Sequence, residues 1–184
     1  MIDSLCDQAG EKDLAVAWLY CDFLAHPEQS ATAMLGAILK QLLKKRGIPE
    51  NVRRTFRKFS DRGLRYPDIV GMLKMTISLL PLVYICIDAL DESTAKSRQE
   101  LLESLRDVIR ESPRTRLLFT GRSHVEEEVK RYLTKAITVP VSPTEGDIKV
   151  YLDARLDRDT EPHAMDDELR RDIMRIIPEM ISEV

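Results

Sequence analysis

Three carboxylates arrive within five positions in the stretch LVYICIDALDES, residues 82–93: Asp88, Asp91 and Glu92. They follow six apolar or aromatic residues, Leu82 to Ile87. An acid at the end of a buried strand can hold a hydrated Mg²⁺, which takes one or two carboxylates and completes its shell with water and phosphate oxygens. A second acid a few residues on can orient or deprotonate a water. The same pattern also describes a strand that runs into a polar loop, with Asp91 or Glu92 capping a helix.

A second stretch bears on the same chemistry. LLFTGR, residues 117–122, ends in Thr120, Gly121 and Arg122. If its strand neighbours the acidic one, Arg122 points into the same crevice. A guanidinium there could sense a terminal phosphate or stabilise transition-state charge. Equally open is a structural role, in which it neutralises Asp88 or Asp91.

Position depends on the surrounding elements. Ala15–Cys21, AVAWLYC, reads as a strand, with Trp18 and Tyr20 on one face packing against a helix. Ser30 caps a helix to about Arg46, whose Met34, Leu35, Ile38, Leu39, Leu42 and Leu43 recur at helical spacing before Gly47. Pro49 opens a basic helix to about Ser60. A third helix runs from Pro67 to Leu80, with Met72 and Met75 in or near the core, and Pro81 closes it. Leu82–Ile87 shows almost no alternation, which means burial on both faces; Cys86 is then a small apolar core residue. Ser97–Glu111 is an amphipathic helix, Thr115–Thr120 a third strand, VEEEVKRYL a short helix and Ala136–Val141 a fourth strand. Thr144 caps a helix to Leu156, with Ile148, Tyr151, Leu152 and Leu156 facing inward. A polar linker, Asp157–Asp167, precedes a last helix to about Ile177. The alternation predicts an α/β fold with a parallel sheet flanked by helices in three layers, and ligands in such sheets bind beyond the carboxyl ends of the strands. The expected division is a core over residues 1–158 and a linker with the start of a helical subdomain over 159–184.

Composition excludes several classes. With 43 % hydrophobic and 32 % charged residues the chain reads as globular rather than disordered. No apolar run approaches the roughly 20 residues of a membrane span, and the opening residues have no secretory pattern. Cys6, Cys21 and Cys86 show no metal spacing and suit reduced thiols in a cytoplasmic setting. His26, His124 and His163 form no ligand pattern. Charge is uneven: nine Lys or Arg face two acids between Lys44 and Arg65, and twelve acids face six bases from Glu145 onward. The basic block is expected to be a solvated helix face, with nucleic acid an unfavoured partner and no membrane partner. Pairing with the acidic third, within one chain or between copies, is the intermediate option.

LYCDF (residues 19–23), VYICIDALDES (83–93), RLLFTGR (116–122) and SPTEGDIKVYL (142–152) together resemble the NACHT domain of fungal NLR-like proteins, also described as nephrocystin-3-like N-terminal domains. The resemblance implies a P-loop ATPase or GTPase of the STAND class that works as a slow nucleotide switch. It implies Mg²⁺ with ATP or GTP as cofactors, homo-oligomerisation, and a longer protein with an effector and ankyrin, WD40 or TPR repeats. By the same match Asp88 is the Walker B acid that meets Mg²⁺ through water. Asp91 and Glu92 are the distal pair, one of them placing the attacking water. Arg122 is the sensor arginine, and Thr120 lies beside the nucleotide.

The sequence departs from that family at one motif. It contains no GxxxxGK[ST] and no Gly-Lys dipeptide. That loop supplies the backbone N–H cradle and the lysine for the β/γ-phosphates. In the family its strand lies between those matched here by Thr115–Thr120 and Ala136–Val141. The resemblance therefore implies a chain that starts inside the domain, after the P-loop, with MIDSLCDQAG as the tail of the following helix. Such a chain is expected to hold nucleotide weakly or not at all and to be marginally stable. A non-catalytic interaction module or remnant is the competing reading. A receiver-like phosphoacceptor ranks last, because AITVPVSP offers no lysine at a later strand end.

Overall fold

The computed structural model describes residues 14–25, 28–158 and 166–182. The readings made of Met1–Gly10, Cys6, His26, His163 and most of the linker after Asp157 lie outside these residues. The chain divides into two units, residues 1–137 and 138–184.

In the first unit β1 (Ala15–Tyr20), β2 (Val83–Asp88) and β3 (Thr115–Phe119) form a parallel sheet in the order β1-β2-β3. Its helices are α1 (Ala31–Arg46), α2 (Glu50–Phe59), α3 (Tyr66–Ser78), α4 (Ala95–Glu111) and α5 (Glu126–Tyr132). Register places Ala15, Val83 and Thr115 in one row, and Ala17, Ile85 and Leu117 in the next. These rows face the helices. Ala17, Ile85 and Ile87 join Leu35, Ile38 and Leu42 of α1, Leu73 and Ile77 of α3, and Leu101, Leu102 and Leu105 of α4 in one buried core. Each leucine or isoleucine among them contributes about 1.5–3 kcal/mol by leaving water. On the other face Val16 and Cys86 are buried while Trp18, Tyr84 and Leu118 are half-buried. Burial on both faces explains why β2 shows so little alternation.

Helix ends follow local chemistry. The Ser30 side chain accepts from Ala33 N–H at 3.2 Å, and Gly47 ends α1 at φ 76°, where a Cβ would be strained. Thr94 accepts from Ser97 N–H at 3.2 Å to start α4 two residues before the expected Ser97. The outer edge of β1, which no strand pairs among the described residues, is met by two glutamines. Gln41 accepts from Trp18 N–H at 3.0 Å and donates to Trp18 C=O at 2.7 Å. Gln29 donates to Tyr20 C=O at 3.0 Å and accepts from Asp22 N–H at 3.1 Å. Side-chain amides thus stand where a fourth strand would otherwise pair.

The sheet is parallel and flanked by helices as expected. Two other expectations are corrected. Residues 136–141 form no strand: Ile137, Val139 and Val141 are 91 %, 73 % and 90 % exposed. Alternating apolar residues make a strand only when a neighbour takes their backbone groups, and Pro140 removes one donor outright. Trp18 and Tyr20 share a face as expected, but Tyr20 is exposed rather than packed on a helix.

The second unit holds α6 (Glu145–Leu156) and α7 (Asp167–Ser182), which pack on each other. Thr144 and Asp147 form a reciprocal cap on α6. Ile148 is buried as expected, whereas Tyr151 is 65 % exposed. Arg170 of α7 reaches Asp153 at 2.6 Å and Asp157 at 2.7 Å. α7 continues through Pro178 to Ser182, beyond the expected end at Ile177. A proline costs a helix one donor and a local clash without always ending it.

Candidate functional site

The carboxylates lie at the carboxyl rim of the sheet. Asp88 is the last residue of β2, in register with Tyr20. Its C=O accepts from Cys21 N–H at 3.0 Å. The next residue, Ala89, adopts a left-handed conformation at φ 52°, ψ 47°. For a residue with a Cβ this costs on the order of 1–2 kcal/mol. Thr120 offsets that cost. Its Oγ1 accepts from Ala89 N–H at 3.0 Å, and its C=O accepts from Leu90 N–H at 2.9 Å. The same hydroxyl donates its proton to Asp88 Oδ1. One threonine therefore turns the chain after β2 and fixes the Asp88 carboxylate, while Asp88 Oδ2 has no protein partner among the described residues.

The following turn, Leu90–Glu92, is anchored from below and behind. Leu90 is fully buried. Arg98 of α4 donates to Ser93 C=O at 2.8 Å and meets Glu128 of α5 at 2.7 Å. From this turn Asp91 reaches the loop after β3. Its Oδ1 accepts from Arg122 N–H at 3.2 Å, and its Oδ2 lies 3.4 Å from Arg122 Nε. The Asp91 side chain is only 8 % exposed, whereas that of Arg122 is 79 % exposed. Gly121 permits this approach. A Cβ there would stand 3.2 Å from Val125 Cγ2 and 3.3 Å from Asp91 Oδ1. Glu92 turns the other way and accepts Phe23 N–H at 3.2 Å, tying the rim to the loop after β1.

Beneath the acids lies the buried Cys21. Burial pushes its thiol up to about 11, and the charges of Asp88, Asp91 and Glu92 push in the same direction while Arg98 opposes them. This thiol is a poor nucleophile at neutral pH.

The structure thus brings Asp88, Asp91, Glu92, Thr120 and Arg122 to one rim, with Thr120 on Asp88 and Arg122 on Asp91. The sequence reading did not find Cys21, the Phe23 amide, Ala89 or Arg98. No local signal marks Arg98 or Phe23. Among the described residues no group of three or more His, Cys, Asp or Glu is arranged to cage a metal ion. The donor set at the rim is one carboxylate, Asp88, with an open oxygen. That fits Mg²⁺ held mostly by water and phosphate, and does not fit a metal held by protein alone.

These features define an α/β protein with an acid–arginine cluster at the carboxyl ends of parallel strands. A family model described as "Nephrocystin 3, N-terminal" matches residues 1–122, which include the whole rim. The chain belongs to this nephrocystin-3 N-terminal family. No curated protein and no solved structure matches it. No helix among the described residues is long and apolar enough to cross a membrane.

Proposed function

We propose that this chain carries the metal-facing half of a nucleoside-triphosphate site, in a NACHT-type signalling switch of the P-loop class. The observation that carries the reading is Asp88 at the strand end, locked by Thr120, with the Asp91–Arg122 pair beside it. In this reading Asp88 meets Mg²⁺ through water, and Thr120 holds the carboxylate in its orientation. Asp91 anchors Arg122, whose exposed guanidinium faces the terminal phosphate. One acid of the distal pair, Asp91 or Glu92, places the attacking water. Bound Mg²⁺ supplies neutralisation of phosphate charge. The outer edge of β3, unpartnered among the described residues, is where the family's phosphate-cradle strand would pair. Because the sequence holds no GxxxxGK[ST], the chain by itself binds ATP or GTP only weakly, with Mg²⁺ held at Asp88. The intact relative would act in the cytoplasm, coupling turnover to oligomerisation, with effector and repeat domains.

A second reading, a non-catalytic interaction module, draws on the commitment of both Asp91 oxygens to Arg122. One experiment separates the two. Mn²⁺, as a paramagnetic stand-in for Mg²⁺, is added with ATP or GTP to the labelled chain, and amide broadening is followed by NMR. The nucleotide reading expects broadening centred on Asp88, Ala89 and Thr120 that Asp88→Asn removes. Broadening elsewhere, or none at the rim, supports the interaction module instead. Micromolar affinity with turnover, measured calorimetrically, would show that the missing loop is not needed.

A further inference from the structure

Tyr20 ends β1 in register with Asp88, the last residue of β2. Register partners in a parallel pair carry their side chains on one face of the sheet, and neighbouring strands run about 4.8 Å apart. Thr120 bonds Asp88 from the β3 side of that face. Tyr20 flanks it from the β1 side. The Tyr20 main chain is fixed: Gln29 donates to its C=O at 3.0 Å, and the next residue, Cys21, donates its N–H to Asp88 C=O at 3.0 Å. The side chain is 58 % exposed, and its hydroxyl has no hydrogen-bond partner among the described residues.

Two open hydrogen-bonding groups, Asp88 Oδ2 and the Tyr20 hydroxyl, thus belong to neighbouring residues of the rim and do not bond each other. A phenol carries its oxygen farther from the main chain than an aspartate carries its carboxylate. The pair is therefore matched in reach to a third group that both can meet. Water in the shell of a hydrated Mg²⁺ is such a group, because it donates to oxygens around the ion while the carboxylate answers the charge. A tyrosine hydroxyl accepts as well as donates. The other acids of the rim are already engaged: Asp91 with Arg122 on the β3 side, and Glu92 with the Phe23 N–H.

We propose that Tyr20 is a positioning residue of the metal-facing site, an inference that rests on the nucleotide reading: its phenolic oxygen accepts a hydrogen bond from a water of the Mg²⁺ shell held at Asp88. The full chain is titrated with Mn²⁺ in the presence of ATP, and the Tyr20 ring protons are followed by NMR beside the rim amides. Both are expected to broaden together, and Asp88→Asn should abolish both effects. Mn²⁺ affinity is read from the electron spin signal of the free ion. Tyr20→Phe should weaken it about two- to tenfold, the worth of one neutral hydrogen bond, and Tyr20→Ala should weaken it no further. The side chain is exposed, so circular dichroism and the urea midpoint are expected to stay unchanged in both variants. Broadening at Asp88 and Thr120 that spares the Tyr20 ring, or full affinity in Tyr20→Phe, would overturn the proposal and leave the nucleotide reading standing. So would a further large loss in Tyr20→Ala, which would make the ring rather than the hydroxyl the contact. No broadening at the rim of the parent chain would sink the nucleotide reading and this inference with it.

Discussion

Arg122 engages Asp91 through two different groups: its main-chain N–H donates to Oδ1 at 3.2 Å, and its Nε lies 3.4 Å from Oδ2. The double contact joins the turn after β2 to the loop after β3. Its two ends differ in exposure, and so does the expected cost of removing them. Arg122 is largely in solvent, so Arg122→Ala should cost under about 1 kcal/mol. Asp91 is sheltered and also satisfies a main-chain donor, so Asp91→Ala should cost more, about 1–3 kcal/mol. Urea denaturation of both variants checks the order; the reverse order would mean that the guanidinium carries the contact.

Gly121→Ala tests how tightly the two loops meet. The new methyl would press on Val125 Cγ2 at 3.2 Å and on Asp91 Oδ1 at 3.3 Å. A cost of about 1–2 kcal/mol is expected from this overpacking, with chemical-shift changes centred on Asp91 and Arg122. A neutral variant would show that the loops give way freely.

Thr120 serves Ala89 and Asp88 through a single hydroxyl. Thr120→Ser should keep both bonds, while Thr120→Val should lose both and cost about 1 kcal/mol. The exposed rim keeps the figure low. Equal stability of the two variants would show that the hydroxyl does not hold the turn.

Arg98 meets Glu128 and the Ser93 carbonyl with its side chain only 11 % exposed. Arg98→Ala should therefore cost about 1.5–3 kcal/mol, because charge-assisted bonds in shelter are the stronger ones. Hydrogen exchange should speed up at Leu90–Ser93 in that variant. Protection unchanged there would place the anchor of the turn elsewhere.

The edge of β1 depends on Gln41. Gln41→Leu removes both bonds to Trp18 and should cost about 1–2 kcal/mol, with faster aggregation at a given concentration. Light scattering beside a stability measurement separates the two effects. A variant that is less stable but no stickier would deny the edge-closing role.

Cys21 sets an alkaline limit. Its thiol titrates near 11 when folded, against 9.0 for an ordinary thiol. The folded state thus favours the protonated form. The contribution is complete below pH 9 and is lost as pH rises toward 11. Cys21→Ala should remove that part of the loss between pH 9 and 11. A stability profile unchanged in that window would sink the assignment.

Much of the fold could be read from the chain because its signals are local. The heptad-like spacing in α1, the cap at Ser30, the glycine at position 47 and the unbroken apolar run before Asp88 each act within a few residues. The same holds for the acids at the end of β2, since a strand that ends in carboxylates must carry them to its rim. Residues 136–141 show where local reading fails: their β-propensity is real, but a strand exists only with a partner for its main chain.

The sequence by itself determined which residues are apolar, where helices begin and which strand bears the acids, because propensity and capping are decided by neighbours along the chain. The tertiary structure decided that Arg122 answers Asp91 rather than Asp88, that Thr120 answers Asp88, and that Glu92 turns back to Phe23. Those pairings span 31 to 69 positions of sequence. Only folding into the parallel sheet brings such distant groups within hydrogen-bond reach, and only there does burial of one partner settle which contact carries weight.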